Sequence, residues 1–406
     1  MSDFSQNGII STLHDFGTKS TSVIENELLK FSKERKMELI LPCLYSELEG
    51  TALPNIVEEI SKTKYLDHII VGLDRANENQ AKKAWKFFKK LKSPFSILWN
   101  DGPGLKSLDK ELRKKDLAPS ELGKGRNVWY CLGMSIARNT ARSVALHDCD
   151  IKTYDRRMLA KLFYPVVNPL FNFEFCKGYY PRVANEKMNG RVARLLVFPL
   201  LTALEKTIGK SDYLEFMKSF KYPLAGEFSF RRNVLPELRI SSDWGIEVGI
   251  LSEMQRSFSP QNICQVDLAE TYDHKHQVLS LDDETKGLSR MSIDIIKTFI
   301  KKLATQGNSF SREKFRSLKA TYYRSALDLI DIYRSDADMN GLKFDSHTEE
   351  KAVELFAMNI MKAGEAFILN PMDTPFIPTW SRVKSAIPDF LNRLEKVVND
   401  DNKKYS

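Results

Sequence analysis

Short apolar runs alternate with longer helical patterns over the first 150 residues after an N-terminal arm. Strand-like runs occupy residues 38–43, 68–73, 95–99 and 143–147, and helical patterns at 53–64 and 79–92 follow the first two. This alternation is typical of an α/β domain with a largely parallel sheet. We expect the first strand to stop at Pro42, because proline is disfavoured inside a strand. Polar residues end these runs, and open sheets of this class bind ligands at the carboxyl ends of their strands.

Beyond about residue 284 the pattern becomes purely helical. Apolar residues recur at helical spacing from Ile293 to Leu303, again at 322–332 and 350–368, and at 381–399 with a break at Pro388. We therefore predict an N-terminal helical arm (1–36), an α/β domain (37–285) and a C-terminal helical lobe (286–406). The last residues, 400–406, are expected to fray.

Composition excludes several classes of protein. Hydrophobic residues make up 42% and aromatic residues 11% of the 406, which is enough to build a core. No apolar stretch approaches the ~20 residues of a membrane span, and the polar N-terminus has no signal-like segment, so we expect a cytoplasmic protein. A net charge of +8 suits small anionic substrates as well as nucleic acid. Five scattered cysteines without a C-x-x-C pair fit neither a disulfide framework nor a zinc knuckle.

Asp148-Cys149-Asp150 follows the fourth strand-like run and is the strongest local signal. Two carboxylates at the end of a buried strand are costly unless a positive charge lies between them. Mg²⁺ or Mn²⁺ carried with a diphosphate would supply that charge, because hard cations prefer oxygen ligands. A solvated turn is the alternative.

Two further segments have spacing that suits phosphate or metal. Gly123-Lys124-Gly125 lets the backbone approach a ligand and provides a cation, although it is not a Walker A loop and a simple helix start would explain it as well. His274-Lys275-His276 follows a strand-like run and could bring two imidazoles to one ligand, or could be an exposed loop.

Residues 82–92 form a basic amphipathic segment that begins at Lys82 and ends at Lys92. Its lysines could bind an anionic membrane or nucleic acid, and a nucleic-acid or membrane-binding module is the alternative function from another class. A helix that packs Trp85 and Phe88 on the sheet and leaves its lysines in water is the other interpretation.

Taken in order, the motifs resemble those of the glucosyl-3-phosphoglycerate synthase family, retaining glycosyltransferases of the GT-A fold. The matching elements run from the first strand to about residue 290, and they are 42–47 (P-C-L-Y-S-E), Asp74, Gly123-Lys124-Gly125, Asp148-Cys149-Asp150, 177–180 (K-G-Y-Y), Gly190-Arg191-Val192, 223–227 (P-L-A-G-E) and 245–249 (G-I-E-V-G). The resemblance implies glucose transfer from UDP- or GDP-glucose to 3-phosphoglycerate, with Mg²⁺ or Mn²⁺ as cofactor. The product is the precursor of the compatible solute glucosylglycerate.

The resemblance also implies roles for individual residues. The nucleotide-sugar would contact Pro42, Cys43, Leu44, Ser46, Asp74, Lys124, Asp148 and Glu227, and the acceptor would contact Gly190, Arg191 and Ala193. Asp150 and His274 would bind the metal, with His276 in reserve, and Asp150, Glu227 and Lys124 are the implied catalytic residues. Ala193 stands where the family commonly has threonine, and the family's first motif is altered at Cys43, Tyr45 and Ser46.

Three matters stay open at this level. Mannosyl transfer, or transfer to unphosphorylated glycerate, would need only a few altered contacts. No carboxylate is clearly placed as a nucleophile, so we expect attack from the face that the leaving group departs from. We also expect a homodimer.

Overall fold

The computed structural model describes residues 6, 8–274, 286–373 and 376–405. Within them, eight strands form a central sheet in the order β1-β11-β6-β9-β5-β2-β3-β4, and two pairs of short strands lie outside it. Every pairing in the central sheet is parallel except the two made by β9. The strands are β1 Ser11–Leu13, β2 Met37–Leu44, β3 Leu66–Asp74, β4 Phe95–Trp99, β5 Ser143–Leu146, β6 Phe175–Tyr179, β7 Val183–Ala184, β8 Lys187–Met188, β9 Phe228–Arg231, β10 Ile240–Ser241, β11 Ile263–Asp267 and β12 Phe376–Ile377.

Helices cover both faces of this sheet. They are α1 Thr21–Phe31, α2 Ala52–Ser61, α3 Glu78–Phe88, α4 Pro103–Arg113, α5 Lys124–Arg138, α6 Arg156–Val167, α7 Phe198–Ile208, α8 Asp212–Lys218, α9 Ile246–Ser257, α10 Gly287–Thr305, α11 Arg312–Met339, α12 Ser346–Leu369, α13 Trp380–Ala386 and α14 Phe390–Tyr405. Short 3₁₀ segments lie at Tyr45–Glu49, Arg232–Glu237 and Pro260–Asn262, and a π-helical segment, Val192–Val197, leads into α7. Alternate strand residues such as Leu39 and Ile40 enter separate apolar cores, because successive side chains point to opposite faces.

The prediction that the first strand ends at Pro42 is wrong. β2 continues to Leu44, and Pro42 lies opposite Gly72 of β3. On the other side, β5 pairs only with Met37 to Ile40, and the Ile40 carbonyl accepts a hydrogen bond from His147. Pro42 is two residues beyond Ile40 and faces the same side, past the end of β5. The N–H that proline lacks would be the next donor along this ladder, to the His147 carbonyl, so Pro42 ends the pairing with β5 while the pairing with β3 continues.

The basic segment 82–92 packs as a helix on the sheet. Ala81, Ala84, Trp85 and Phe88 of α3 are buried, while Lys82, Lys83 and Lys86 are exposed. The apolar stripe is thus already occupied by the protein's own core. A membrane or nucleic-acid surface has no free apolar face to use on this helix.

Both ends of the chain differ from the sequence-based expectation. The predicted helical arm before residue 37 contains α1, but it also contributes β1, which pairs with β11; a three-residue strand is too short to show a period. The predicted fraying of residues 400–406 is wrong for the described part, because α14 runs to Tyr405, whose ring lies 5.0 Å from that of Trp85.

The C-terminal helices share the core of the α/β domain. One continuous apolar cluster contains Val128 of α5, Leu195 of the π-helical segment and residues of all five helices from α10 to α14, such as Phe356. None of the described helices is both long and apolar enough to cross a membrane.

Candidate active site

Several predicted functional residues lie at one edge of the sheet. Asp74 ends β3 and Asp148 follows β5 by two residues, and Lys177 of β6, to which sequence reasoning assigned no role, lies opposite Phe228 at the start of β9. Glu227 immediately precedes β9, and because β9 runs antiparallel its start lies at the carboxyl edge of its neighbours. The fold therefore collects these charged groups where ligands bind in open α/β sheets.

Lys124, the first residue of α5, is held between two carboxylates. Its Nζ lies 2.7 Å from Asp148 Oδ1 and 3.0 Å from Glu247 Oε1 of α9. Burial alone would lower the pKa of Lys124, but the two carboxylates raise it above its ordinary value. Burial raises the pKa of Asp148, and Lys124 opposes that shift. Lys124 is therefore a fixed positive charge at the site, ready to interact with an anionic ligand.

Two glycines permit this close arrangement. A Cβ on Gly125 would lie 2.0 Å from the Ser241 carbonyl oxygen, and a Cβ on Gly226 would lie 2.2 Å from Asp148 Oδ2. Both distances are far below van der Waals contact. Any larger residue would push α5 away from Ser241 or displace the Asp148 carboxylate.

Asp150 and His274 are brought together as predicted for metal ligands. Asp150 Oδ2 lies 3.6 Å from His274 Nδ1, and an antiparallel bridge joins Ile151 to His274. Burial acts to raise the pKa of Asp150, but the interaction with His274 holds it below its usual value. A carboxylate and an imidazole fit Mg²⁺ or Mn²⁺ when substrate phosphate and water supply the remaining ligands. His276, the reserve ligand, lies outside the described residues.

No cage of protein ligands is complete at this site. In the described ranges, no group of three or more His, Cys, Asp or Glu side chains is placed to hold a metal ion. Asp150 and His274 alone would leave most of a cation's coordination shell to other ligands, which is the usual arrangement for a cation that arrives with a substrate diphosphate.

Glu227 is buried and held by two tyrosines. Tyr180 donates to Glu227 Oε2 at 2.5 Å and Tyr272 donates to Oε1 at 2.9 Å. The two tyrosine rings stack with centroids 3.6 Å apart and planes 4° from parallel. Burial raises the pKa of Glu227, and Asp148 adds to that shift. Both carboxylate oxygens thus accept hydrogen bonds from protein groups, which fixes the side chain at the base of the site.

Lys177 lies beneath the same turn. Its ammonium donates to the Ala225 carbonyl and lies 5.3 Å from the centre of the Phe228 ring. Complete burial lowers the pKa of Lys177 to about 8, although Glu247 and Glu227 oppose the shift. The lysine therefore holds the backbone immediately before Gly226 and Glu227.

The predicted nucleotide contacts lie in three different environments. Pro42, Cys43 and Leu44 end β2, with Cys43 fully buried and its thiol donating to the Leu44 carbonyl. Ser46 is exposed in the following 3₁₀ turn. Burial raises the pKa of the Asp74 carboxyl, and the charge of Arg126 opposes this shift. Their roles toward a nucleotide stay predictions.

The predicted acceptor residues lie at the start of the π-helical segment. Gly190 has a φ of +78°, Arg191 precedes the segment, and Ala193 is buried within it. Arg191 Nε donates to Glu349 Oε1 of α12 at 2.8 Å. The contact of these residues with an acceptor also stays a prediction.

Sequence reasoning gave no role to several groups that complete the site. Glu247 lies in a recognised motif, but its pairing with Lys124 spans 123 positions in the sequence. Tyr272 and Glu349 carry no local signal, since their partners are 45 and 155–158 positions away. One signal could have pointed to Tyr272: a buried Glu227 carboxylate needs hydrogen-bond donors for both of its oxygens.

Two known proteins that match this chain over nearly its full length carry the same name. It is 42% identical over 402 residues to glucosyl-3-phosphoglycerate synthase of Persephonella marina, covering 99% of both chains. It is 38% identical over 401 residues to the enzyme of the same name from Methanococcoides burtonii, covering 98% of this chain and 97% of that one. No family model matches the sequence.

Solved structures show the same fold at lower identity. Glucosyl-3-phosphoglycerate synthase of Mycobacterium tuberculosis, solved with Mn²⁺, UDP and glucosyl-3-phosphoglycerate, superposes with a TM-score of 0.52 at 21% identity over 72% of this chain and 87% of that one. Mannosyl-3-phosphoglycerate synthase of Rubrobacter xylanophilus gives 0.54 at 19% identity over 74% and 83%. These values confirm the predicted GT-A fold.

Proposed function

The chain belongs to the glucosyl-3-phosphoglycerate synthase family, and on that premise we propose that it transfers glucose from UDP-glucose to 3-phosphoglycerate. The identities of 42% and 38% to the two curated relatives, each over nearly the full length, support the reaction. UDP-glucose as donor is supported by the Mycobacterium tuberculosis enzyme, which was solved with UDP-glucose, phosphoglyceric acid and Mn²⁺. The observation in this chain that carries the proposal is Lys124 fixed beside Asp148, next to the Asp150–His274 pair.

The donor half of the site would work by electrostatic stabilisation. Asp150 and His274 would hold Mg²⁺ or Mn²⁺. The bound cation would neutralise charge on the departing diphosphate. Lys124 would contact the same diphosphate from the start of α5, and its fixed ammonium costs no reorganisation when charge develops. Pro42, Cys43, Leu44, Ser46, Asp74 and Asp148 would contact the rest of the nucleotide.

Glu227 would orient the hexose rather than attack it. No motif places Glu227 as a nucleophile, and the hydrogen bonds from Tyr180 and Tyr272 hold both of its oxygens in one orientation. We expect the acceptor hydroxyl to attack the face that the diphosphate leaves. The bond from the anomeric carbon to the diphosphate oxygen breaks, the new glycosidic bond forms, and the hydroxyl proton passes to the leaving phosphate. The anomeric configuration is retained.

The acceptor half would be built on Gly190, Arg191 and Ala193. 3-Phosphoglycerate carries a carboxylate and a phosphate, and a guanidinium grips such oxyanions through paired hydrogen bonds. In the described part of the chain, the two terminal nitrogens of Arg191 donate no hydrogen bond, because only its Nε is used by Glu349. They would bind the acceptor.

A donor-by-acceptor screen tests this assignment. The purified protein is assayed with UDP-glucose, GDP-glucose and GDP-mannose against 3-phosphoglycerate and glycerate, with Mg²⁺ or Mn²⁺. The proposal requires the highest kcat/KM for UDP-glucose with 3-phosphoglycerate. Preference for GDP-mannose would support mannosyl transfer, and preference for glycerate would overturn the acceptor assignment.

The site of action and the assembly are further proposals. We place the reaction in the cytoplasm, and we propose a homodimer, which analytical ultracentrifugation tests directly.

A further inference from the structure

One buried carboxylate from the C-terminal helices ties together the two arginines that flank the start of the π-helical segment. Glu349, in the first turn of α12, is 4% exposed. Its Oε1 accepts from Arg191 Nε at 2.8 Å, and its Oε2 accepts from Arg194 Nη2 at 3.0 Å. Each oxygen thus serves a different arginine, so Glu349 fixes the position of one relative to the other.

Arg194 in turn holds the backbone that leads into Gly190. Its Nε donates to the Asn189 carbonyl at 3.0 Å and its Nη2 to the Met188 carbonyl at 3.1 Å. Its guanidinium also lies 4.9 Å from the centre of the Tyr333 ring of α11. Two helices of the C-terminal region therefore fix the conformation of the chain just before the predicted acceptor residues.

Arg191 is anchored at one end and exposed at the other. Its side chain is 36% exposed, against 5% for Glu349. The bond to Glu349 uses Nε, and among the described residues neither terminal nitrogen donates a hydrogen bond. This is the arrangement that a guanidinium needs in order to bind an oxyanion end-on in a defined direction.

Other side chains connect this segment to the sugar end of the site. The Arg182 carbonyl accepts from the Asn189 backbone N–H at 2.7 Å, and Arg182 donates to the Tyr222 hydroxyl at 3.3 Å. The Tyr222 ring lies 5.2 Å from that of Tyr180, which binds Glu227. The predicted acceptor segment therefore lies close to the predicted hexose contact.

We propose that Glu349 is a positioning residue for acceptor binding, so that helices α11 and α12 set the orientation of Arg191 toward 3-phosphoglycerate. The inference rests on the proposed function, because it takes Arg191 as the acceptor's oxyanion contact. It gives the C-terminal helices a role in the reaction beyond covering the core. Glu349 itself touches no substrate.

Kinetics of Glu349→Gln test the proposal. The amide keeps the size of the side chain but offers one acceptor oxygen in place of two, so one arginine loses its partner. We expect KM for 3-phosphoglycerate to rise about ten- to a hundredfold, because small misplacements of binding groups have effects of that size. KM for UDP-glucose should stay within about twofold of wild type, since the donor contacts are elsewhere.

Glu354→Gln is the matched control. Glu354 lies on the same helix, is half-exposed and, among the described residues, forms its ion pair with Lys351 one turn away, so its loss should change neither KM. A double variant, Glu349→Gln with Arg191→Gln, separates positioning from general support of the fold. If Glu349 acts through Arg191, adding Glu349→Gln to the Arg191→Gln variant should raise KM for 3-phosphoglycerate little further.

These measurements separate a failure of the proposed function from a failure of the role proposed for Glu349. A wild-type enzyme that does not use 3-phosphoglycerate contradicts the proposed function. A wild-type enzyme that does use it, with an unchanged acceptor KM in Glu349→Gln, contradicts this inference alone. Equal losses toward donor and acceptor, or full additivity with Arg191→Gln, would show a merely structural role and also overturn it.

Discussion

At the scale of single residues, the site depends on charges that the protein itself holds in place. Lys124 lies between Asp148 and Glu247, and Asp150 lies beside His274. The first pair of contacts fixes the ammonium that we propose binds the diphosphate, and the second brings together the carboxylate and the imidazole that we propose bind the metal. Each group can be changed with little effect on the core, because none of the five is fully buried.

Asp150→Ala should abolish transfer while leaving the protein folded. The side chain is 25% exposed, and the role we propose for it is to hold a cation rather than to pack. Loss of a metal ligand removes several kcal/mol of transition-state stabilisation, at about 1.4 kcal/mol for each tenfold in rate. Steady-state kcat, with thermal unfolding as the control for folding, measures this. Near-normal turnover, or wild-type activity that survives a chelator, would reject the assignment.

Arg191→Lys should weaken acceptor binding selectively. Lysine keeps the charge but loses the planar pair of donors, so KM for 3-phosphoglycerate should rise about ten- to a hundredfold, or ~1.4–3 kcal/mol. Initial rates at saturating UDP-glucose measure the change, and the donor KM serves as the internal control. Unaltered acceptor kinetics would show that Arg191 does not grip the phosphate or the carboxylate.

Lys177 should make stability depend on pH in the alkaline range. Its pKa of about 8 in the folded protein lies below the ordinary value of 10.5. The buried ammonium therefore costs stability below about pH 8, and that cost fades as pH rises toward 10.5, because the unfolded chain still binds the proton there.

Urea unfolding at several pH values checks this sign. The free energy of unfolding of wild type, relative to Lys177→Met, should increase between pH 8 and 10.5. Lys64→Met, at an exposed position, is the control and should show no such trend. A difference that stays flat or falls over this range would contradict the assigned pKa.

At the scale of elements, a buried amide attaches the last helix to the first half of the sheet, in addition to the contact between the Tyr405 and Trp85 rings. Asn402 of α14 accepts from Trp85 Nε1 at 2.9 Å and from the Ile97 N–H at 3.0 Å, and it donates to the Ile97 carbonyl at 3.0 Å. The amide thus satisfies the free edge of β4 and a buried indole together. This explains why the end of the chain is ordered although its sequence is strongly polar.

Asn402→Ala should lower the free energy of unfolding by about 1–3 kcal/mol, the cost of leaving buried donors and acceptors without partners. Denaturant titration measures the change. Asn392→Ala, at an exposed position on the same helix, should have little effect. Equal stability of the two variants would show that α14 is not held through Asn402.

Sequence patterns predicted the elements that have their own period. β2 to β5 and the helices α2 and α3 were identified because strand and helix periods are local, and the D-x-D motif lies just after β5 as its sequence position predicted. β1 was missed because three residues show no period, and β2 was shortened because Pro42 ends only the pairing with β5, whereas the pairing with β3 continues to Leu44. Glu247 and Glu349 were missed because only tertiary structure brings them to Lys124 and Arg191.

At the scale of the whole molecule, the fold and the family agree. The predicted α/β domain and helical region form one continuous core, and helices of the latter region contact the predicted acceptor segment. The near full-length similarity to the curated relatives extends through these helices. The C-terminal helices are therefore part of the enzyme's architecture and not an appended module.

The structure of the product tests the proposed reaction most directly. Wild-type protein is incubated with UDP-glucose, 3-phosphoglycerate and Mg²⁺, and the product is examined by NMR. The proposed reaction predicts glucosyl-3-phosphoglycerate with the anomeric configuration of the donor, formed only when acceptor and cation are both present. Release of free glucose alone, or a product with inverted configuration, would contradict it.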